Sequence, residues 1–218
     1  MKYKKLIICC DGGGASGKST GAKLISKKFK LNLLNSGLLY RWAAKLIIEK
    51  KPKNKVSFLK KKFLNLNYKS IVKLNLHTQD ISNLSAIIAK QKKIRNIIKN
   101  YQKKFINSND RICMEGRDSA SKILNKNPKY DIAFFFKCNL KTAAYRRWKD
   151  LKSLNKEVSL KEVQKSLKKR NEMDTKRRFS SLKIVDDAVL IRTDILSKSE
   201  MIAKMSKEII KKIKSKNK

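Results

Sequence analysis

The sequence predicts an α/β fold: a three-layer arrangement in which a five-stranded parallel sheet is flanked by helices. Two observations carry this. Short apolar runs alternate along the chain with longer segments whose apolar residues recur at helical spacing. A glycine-rich loop, Gly12 to Gly17, stands between the first such run and the first such segment.

The elements follow in order. Residues 4–10, KKLIICC, form an apolar run ending at Asp11 and Gly12 and read as a buried strand entering a loop. Residues 18–29 place Ala22, Ile25 and Phe29 at helical spacing. LNLLN at 31–35 is a second strand, and a helix starts at Ser36, a good N-cap residue. Residues 51–77 are Lys- and Asn-rich with weak periodicity and read as a small excursion. From Thr78 to Phe105 one long helix is predicted, with Ile81, Leu84, Ile87, Ile88, Ile94, Ile97 and Ile98 on one face. RICMEG at 111–116 and DIAFFFKC at 131–138 are strands, the latter apolar enough to be buried on both faces. Helices at about 140–154 and 159–173 form a hairpin rich in Lys and Arg. AVLIRT at 188–193 is the fifth strand, and an amphipathic helix from about Ser197 frays into a solvated tail, KKIKSKNK. In such sheets ligands bind beyond the carboxyl ends of the strands, so the informative loops are 11–17, 35–41 and 115–120.

Composition narrows the function. The 218 residues include 56 Lys+Arg against 17 Asp+Glu, a formal net charge of +39. A hydrophobic fraction of 41% is too high for a disordered polycation. Of the basic residues 46 are Lys, spread over the whole chain, which gives weak, salt-sensitive polyanion binding rather than a nucleic-acid patch. A single His, His77, argues against a His-rich metal site and a His-centred triad. Cys9, Cys10, Cys113 and Cys138 form no CxxC and sit in apolar stretches, as buried reduced thiols do. The N-terminal apolar run is too short for a signal peptide, and no stretch approaches a membrane span. A cytoplasmic monomer with no membrane or dedicated nucleic-acid partner is expected.

Gly12-Gly13-Gly14-Ala15-Ser16-Gly17-Lys18-Ser19 matches G-x-x-x-x-G-K-[ST], followed by Thr20, in the strand–loop–helix context this motif needs. Glycines let backbone N–H groups curl round an anion, and the helix N-terminus adds positive potential. Lys18 can reach outer phosphates, and Ser19 can supply a hydroxyl near Mg²⁺. The motif fixes nucleotide triphosphate binding but not the reaction. No guanine-reading N-K-x-D is present, and the strand ending at Glu115 offers one carboxylate where a motor would need several. A small-molecule kinase remains, with a P-loop kinase fold.

Arginine is scarce, ten in all, so its placement is informative. Arg41 follows the second strand, Arg117 the third, and Arg146, Arg147, Arg170, Arg177 and Arg178 bracket the hairpin. A planar, permanently charged fork suits bidentate phosphate contact.

The chain here resembles bacterial cytidylate kinase, a nucleoside monophosphate kinase family. CDGGGASGKST is similar to IDGPSGSGKGT, NSGLLYRWAA to D-[ST]-G-x-x-Y-R, and EGRDSAS to D-G-R-D-x-G-T. TQDIS with Arg95 resembles T-Q-x-[VI] and its Arg. LKKRNEMDTKRRFSSLKIVDDAVLI resembles I-x-x-R-D-x-x-D-x-x-R-x-x-x-P-L-x-x-A-x-D-A. The resemblance implies a single domain: a core (about 1–37, 106–142 and 178–218), a small monophosphate-binding insertion (about 38–105) and a helical lid (about 143–177). It implies Mg²⁺-assisted transfer from ATP to CMP or dCMP. Residues 12–20 would hold ATP phosphates; Lys18, Arg117, Arg146 and Arg177 would act in the transfer. Arg41, Arg117 and Arg177 would grip the CMP phosphate, Arg95 and Asp118 read cytosine with Ser85 nearby, Arg170 and Asp174 hold the ribose, and Ser36 line the acceptor site. UMP, AMP or a non-nucleotide acceptor, and a basic P-loop protein engaging nucleic acid, are the alternatives.

The chain departs from the family pattern at Gly13-Gly14 for Pro-Ser, Asn35 and Glu115 for Asp, and Ala143 and Met173 where Arg is usual.

Overall fold

A computed structural model describes residues 5–153 and 157–216. Five strands run β1 (Leu6–Gly12), β2 (Asn32–Asn35), β3 (Arg111–Gly116), β4 (Ile132–Lys137) and β5 (Val189–Arg192), in the sheet order β2-β3-β1-β4-β5. The pairings are parallel, as expected: β1 pairs with β3 from Leu6–Arg111 to Asp11–Gly116 and with β4 from Ile8–Ile132 to Gly12–Phe136, and β4 pairs with β5. This register has a functional consequence. The chain leaves β1 at Gly12 and β3 at Gly116 from the same edge, so the glycine-rich loop and the Arg117-Asp118 turn emerge side by side.

Helices cover the sheet. All seven residues of β1 are buried. Beneath it, Ala22 and Ile25 of α1 (Lys18–Lys28) and Met201, Met205 and Ile209 of the C-terminal helix (Lys198–Lys216) close over Phe134 and Phe136. Each such fully buried large side chain stabilises by roughly 1.5–3 kcal/mol. The C-terminal helix runs on to Lys216, so the predicted fraying tail is helical over most of its length; Asn217 and Lys218 lie outside the described residues. Lys4, the predicted start of the first strand, and Leu154, the predicted end of a hairpin helix, lie outside them too. Among the described residues no helix is long and apolar enough to cross a membrane. Cys9, Cys10 and Cys113 are buried free thiols, whereas Cys138 is half-buried.

The chain divides into two compact units, Met1–Leu33 with Asp110–Lys218, and Leu34–Asn109. The second contains α2 (Ser36–Lys50), α3 (Lys55–Leu64), α4 (Tyr68–Val72), α5 (Gln79–Ile88) and α6 (Lys92–Asn107). One expectation gains detail here and one is corrected. The Lys/Asn-rich excursion is helical: Asn54 and Asn67 cap α3 and α4, accepting from the Ser57 and Lys69 N–H at 3.0 Å each, and Leu59, Phe63, Ile71 and Leu76 are buried. Few apolar residues suffice because each helix is short and its start is fixed by its cap. The long helix from Thr78 is two helices. Ile88 and Ile94 are six residues apart, so the apolar stripe loses its 3.6-residue phase, and the chain turns at Ala89–Gln91. Ile87, counted on the buried face, is 52% exposed.

In the first unit α7 (Leu140–Lys152) and α8 (Leu160–Lys176) form the predicted hairpin. It has its own small core of Ala143, Ala144, Leu151, Val163 and Leu167, against which Ala15 of the glycine-rich loop packs. Ala143 thus stands in that core, where an arginine would bury a charge.

Candidate active site

The loop after β1 passes through the left-handed region at two points. Gly17 has φ +78° and leads directly into α1, a conformation glycine adopts without penalty. Ala15, at φ 52°, adopts it with a side chain, at a cost of roughly 1 kcal/mol. The Ser16 hydroxyl and the Lys18 ammonium both donate to the Gly13 carbonyl, at 3.0 and 2.9 Å. Lys18 thus lies back along the loop, buried, with Glu115 4.0 Å away. Burial, with Arg117 adding to it, lowers the Lys18 pKa to about 7. Ser19 donates to the Glu115 carboxylate at 2.6 Å, and Thr20 is exposed on the first turn of α1.

This depressed pKa has a measurable sign. The unfolded chain keeps the Lys18 proton up to about 10.5, whereas the folded chain releases it near 7. Between those values the unfolded state binds more protons, so stability rises with pH, by at most about 1.4 kcal/mol per unit from this group. Chemical denaturation of nucleotide-free protein is expected to show this rise, and Lys18→Met to flatten it relative to wild type. Parallel curves for the two proteins would contradict the burial argument.

Asp11, at the end of β1, is buried and accepts from the Ser119 and Ala120 N–H at 3.1 and 2.8 Å. Burial raises its pKa to about 6 against the pull of those two amides. It fastens the single π-helical turn Ser119–Ile123 and so sets the position of Arg117 and Asp118 just before it.

Near that turn two of the predicted arginines, Arg117 and Arg177, meet Asp174 and Asp118. Arg117 Nε donates to Asp174 Oδ2 at 2.8 Å. Arg177 Nη1 donates to Asp174 Oδ1 at 3.4 Å, its Nη2 lies 3.9 Å from Asp118 Oδ1, and its Nε donates to the Ser180 carbonyl. Burial pushes the Asp174 carboxyl up, but Arg117, Arg177 and Arg170 outweigh it and hold the pKa low. Arg170 is lowered to about 10 by burial and by Arg117. Asp174 and Asp118 thus hold the guanidinium groups of Arg117, at β3's end, and Arg177, just past α8, and the charge of Arg170 acts on Asp174 as well. Such a cluster is built to accept an anion, because the guanidinium charges outnumber their carboxylate partners.

Arg146 lies elsewhere. Its guanidinium donates to the Thr193 carbonyl at 2.6 Å and hydroxyl at 3.1 Å, and Thr193 in turn donates to the Ser16 carbonyl at 2.9 Å. It braces the loop from the end of β5.

Ser36, Arg41, Ser85 and Arg95 belong to the second unit. Arg41 donates to the Leu76 carbonyl at 2.8 Å and the Ser82 hydroxyl at 2.9 Å. Ser85 donates to the Ser82 carbonyl at 2.8 Å, so these two predicted residues share one network. Arg95 donates to the Ala89 carbonyl at 3.0 Å, with its guanidinium 5.4 Å from the Tyr40 ring centroid. Ser36 accepts from Gln102 at 2.8 Å.

Sequence reasoning passed over Asp11, Glu115 as the partner of Ser19, Ser82, Gln102, Asn171 and Thr193. A carboxylate at the mouth of a buried strand was the readable signal for Asp11; the others depend on contacts between distant stretches.

Parallel strands in this order, with a phosphate loop beside an arginine cluster, define a P-loop kinase. A family model described as cytidylate kinase matches residues 8–212. The cytidylate kinase of Mesomycoplasma hyopneumoniae is 31% identical over 227 residues, covering 98% of this chain and 97% of its own. That of Fusobacterium nucleatum is 31% identical, covering 94% and 98%. The chain belongs to the cytidylate kinase family. In fold alone it is similar to TT1252 from Thermus thermophilus (TM-score 0.53, 14% identity, 95% and 97% covered) and to a protein from Eubacterium ventriosum (TM-score 0.52, 16% identity, 95% and 99% covered).

Proposed function

We propose that this chain phosphorylates CMP and dCMP, drawing the phosphoryl group from ATP and releasing CDP or dCDP. The observation that carries the reading is the cluster of Arg117, Arg170 and Arg177 around Asp174, on the sheet edge where the phosphate loop emerges. Family membership supports it.

The chemistry asks little of a general base, since the acceptor phosphate is already an anionic nucleophile. The enzyme must hold two mutually repelling anions in line and neutralise the charge of transfer. Residues 12–20 are assigned to the ATP phosphates, with the Lys18 ammonium turning from the Gly13 carbonyl to phosphate. Arg117 and Arg177 are assigned to the acceptor phosphate and the transfer, Asp118 to cytosine, and Arg170 and Asp174 to the ribose. From the second unit, Arg41 is assigned to phosphate, Arg95 and Ser85 to the base, and Ser36 to the acceptor. Arg146 is assigned to closure of the lid, taken as about 143–177, with about 38–105 as the monophosphate-binding region and the remainder as core.

Mg²⁺ fits the donors present. Among the described residues no group of three or more His, Cys, Asp or Glu could cage a metal. Ser19 and Glu115, hydrogen-bonded at 2.6 Å, offer the sparse oxygen set that Mg²⁺ uses when phosphates and water complete its shell. Bound there, the ion would neutralise charge on the transferred group. A monomer working in the cytoplasm accords with this reading.

An ADP-release assay over CMP, dCMP, UMP and AMP tests the acceptor. CMP and dCMP are expected to give the highest kcat/KM, and UMP to trail by orders of magnitude because its carbonyl would oppose a carboxylate. Best turnover with AMP would remove the assignment.

A further inference from the structure

Thr193 follows β5 and is 4% exposed. Its backbone N–H donates to the Lys137 carbonyl at the end of β4, at 3.0 Å, which fixes it against the sheet. Its hydroxyl makes two contacts of opposite sense. It accepts from Arg146 Nη1 at 3.1 Å and donates to the Ser16 carbonyl of the phosphate loop at 2.9 Å. The order of this relay is forced. A guanidinium only donates, and a hydroxyl has one proton, so with Arg146 on one side that proton goes to Ser16. A second Arg146 bond, from Nη2 to the Thr193 carbonyl at 2.6 Å, holds the guanidinium in place.

The Ser16 carbonyl shares a peptide plane with the Gly17 N–H, and in a trans peptide the two point in opposite directions. A carbonyl drawn toward Thr193 therefore turns the Gly17 N–H away from it. Gly17 completes the fit. A Cβ there would lie 3.2 Å from Thr193 Cγ2, and φ is +78°, so a residue without a side chain lets the peptide lie against Thr193 in this orientation.

We infer that Thr193 is a positioning residue for the donor nucleotide: it aims the Gly17 N–H at the phosphate that the loop holds. The inference deepens the proposed function and rests on the assignment of residues 12–20 to ATP. Backbone N–H groups serve an anion best when they are already aimed, because turning a peptide at the moment of binding costs part of the affinity. Thr193 sets the aim from behind the loop, and it does so through one proton. Its hydroxyl carries the effect, and its methyl only fills the space beside Gly17.

Calorimetry gives the ATP and CMP dissociation constants of wild type, Thr193→Val and Thr193→Ser, and hydrogen exchange follows the Gly17 N–H with and without ATP. Valine keeps the outline of threonine and loses the proton; serine keeps the proton and loses the methyl. Thr193→Val is expected to weaken ATP binding about tenfold while CMP binding is unchanged, and Thr193→Ser to stay within about threefold of wild type. In wild type, ATP is expected to slow Gly17 exchange. A residue that only joins β5 to the loop would lower the melting temperature of the valine variant without separating ATP from CMP. ATP binding as tight as wild type in Thr193→Val would overturn the inference, as would equal losses for valine and serine, or equal losses for ATP and CMP. Gly17 exchange unslowed by ATP in wild type would overturn it even if the valine variant does not fold. No binding of ATP by wild type would instead bring down the donor assignment, and this inference with it.

Discussion

Arg117→Ala is expected to lower kcat by roughly 10³-fold or more, the scale on which a single arginine acting on a transferring phosphoryl group is felt. It is also expected to raise KM for the acceptor and to leave ATP affinity nearly unchanged. The reason lies in what Arg117 holds. It leaves the sheet at the end of β3, is set by the turn that Asp11 fastens, and shares Asp174 with Arg177. Removing it takes away the fork nearest the strand and leaves Asp174 with fewer cationic neighbours. The Asp174 carboxylate, assigned to the ribose, is then less well neutralised and repels the incoming phosphate more strongly. Arg117→Lys is expected to recover only part of the loss, because an ammonium cannot bridge two oxygens in a plane. Steady-state kinetics with each substrate varied in turn makes the check; an acceptor dependence identical to wild type would exclude Arg117 from that site.

Lys18→Ala is expected to reduce phosphoryl transfer by about 10²–10³-fold at least, the effect of losing one preorganised donor to developing charge. Here ATP affinity should fall as well, which separates this variant from Arg117→Ala. The fold is expected to survive. Lys18 is a buried cation whose proton is held weakly, so its removal relieves a desolvation cost instead of breaking a support. Circular dichroism and a melting curve at pH 6, where the wild-type lysine is charged, provide the control. A variant that retains wild-type turnover would show that the loop does not present Lys18 to the reacting phosphate.

Much of this was legible in the sequence because the signals are local. The strand β4 is an unbroken apolar run, and β1 delivers its glycines at the turn where a phosphate loop must start. Arg41, Arg117 and Arg177 were readable as a set because arginine is rare in a chain that otherwise uses lysine; Arg117 and Arg177 share Asp174, and Arg41 belongs to the second unit. What escaped depended on phase and on contact. The break at Ala89–Gln91 carries no glycine or proline, so only the six-residue step from Ile88 to Ile94 announces it. The helices α3 and α4 were hidden by composition, since asparagine reads as loop when its capping partner is unseen. Arg146 was readable as a lid residue, but its engagement by Thr193, 47 places away, was not. Asn171 stands at the Asp of R-D-x-x-D, but its contact with the Gly14 N–H depends on a loop without side chains at Gly13 and Gly14 and was not readable.

The asparagine caps have one more effect. Asn35, Asn54, Asn67 and Asn139 each receive a backbone N–H at the start of a helix. Aspartate at any of these places would accept the same N–H and meet the positive end of the helix dipole with a full negative charge. A polypeptide with so much surplus positive charge thus starts these four helices with neutral acceptors, and each is a position where one substitution would offset that surplus.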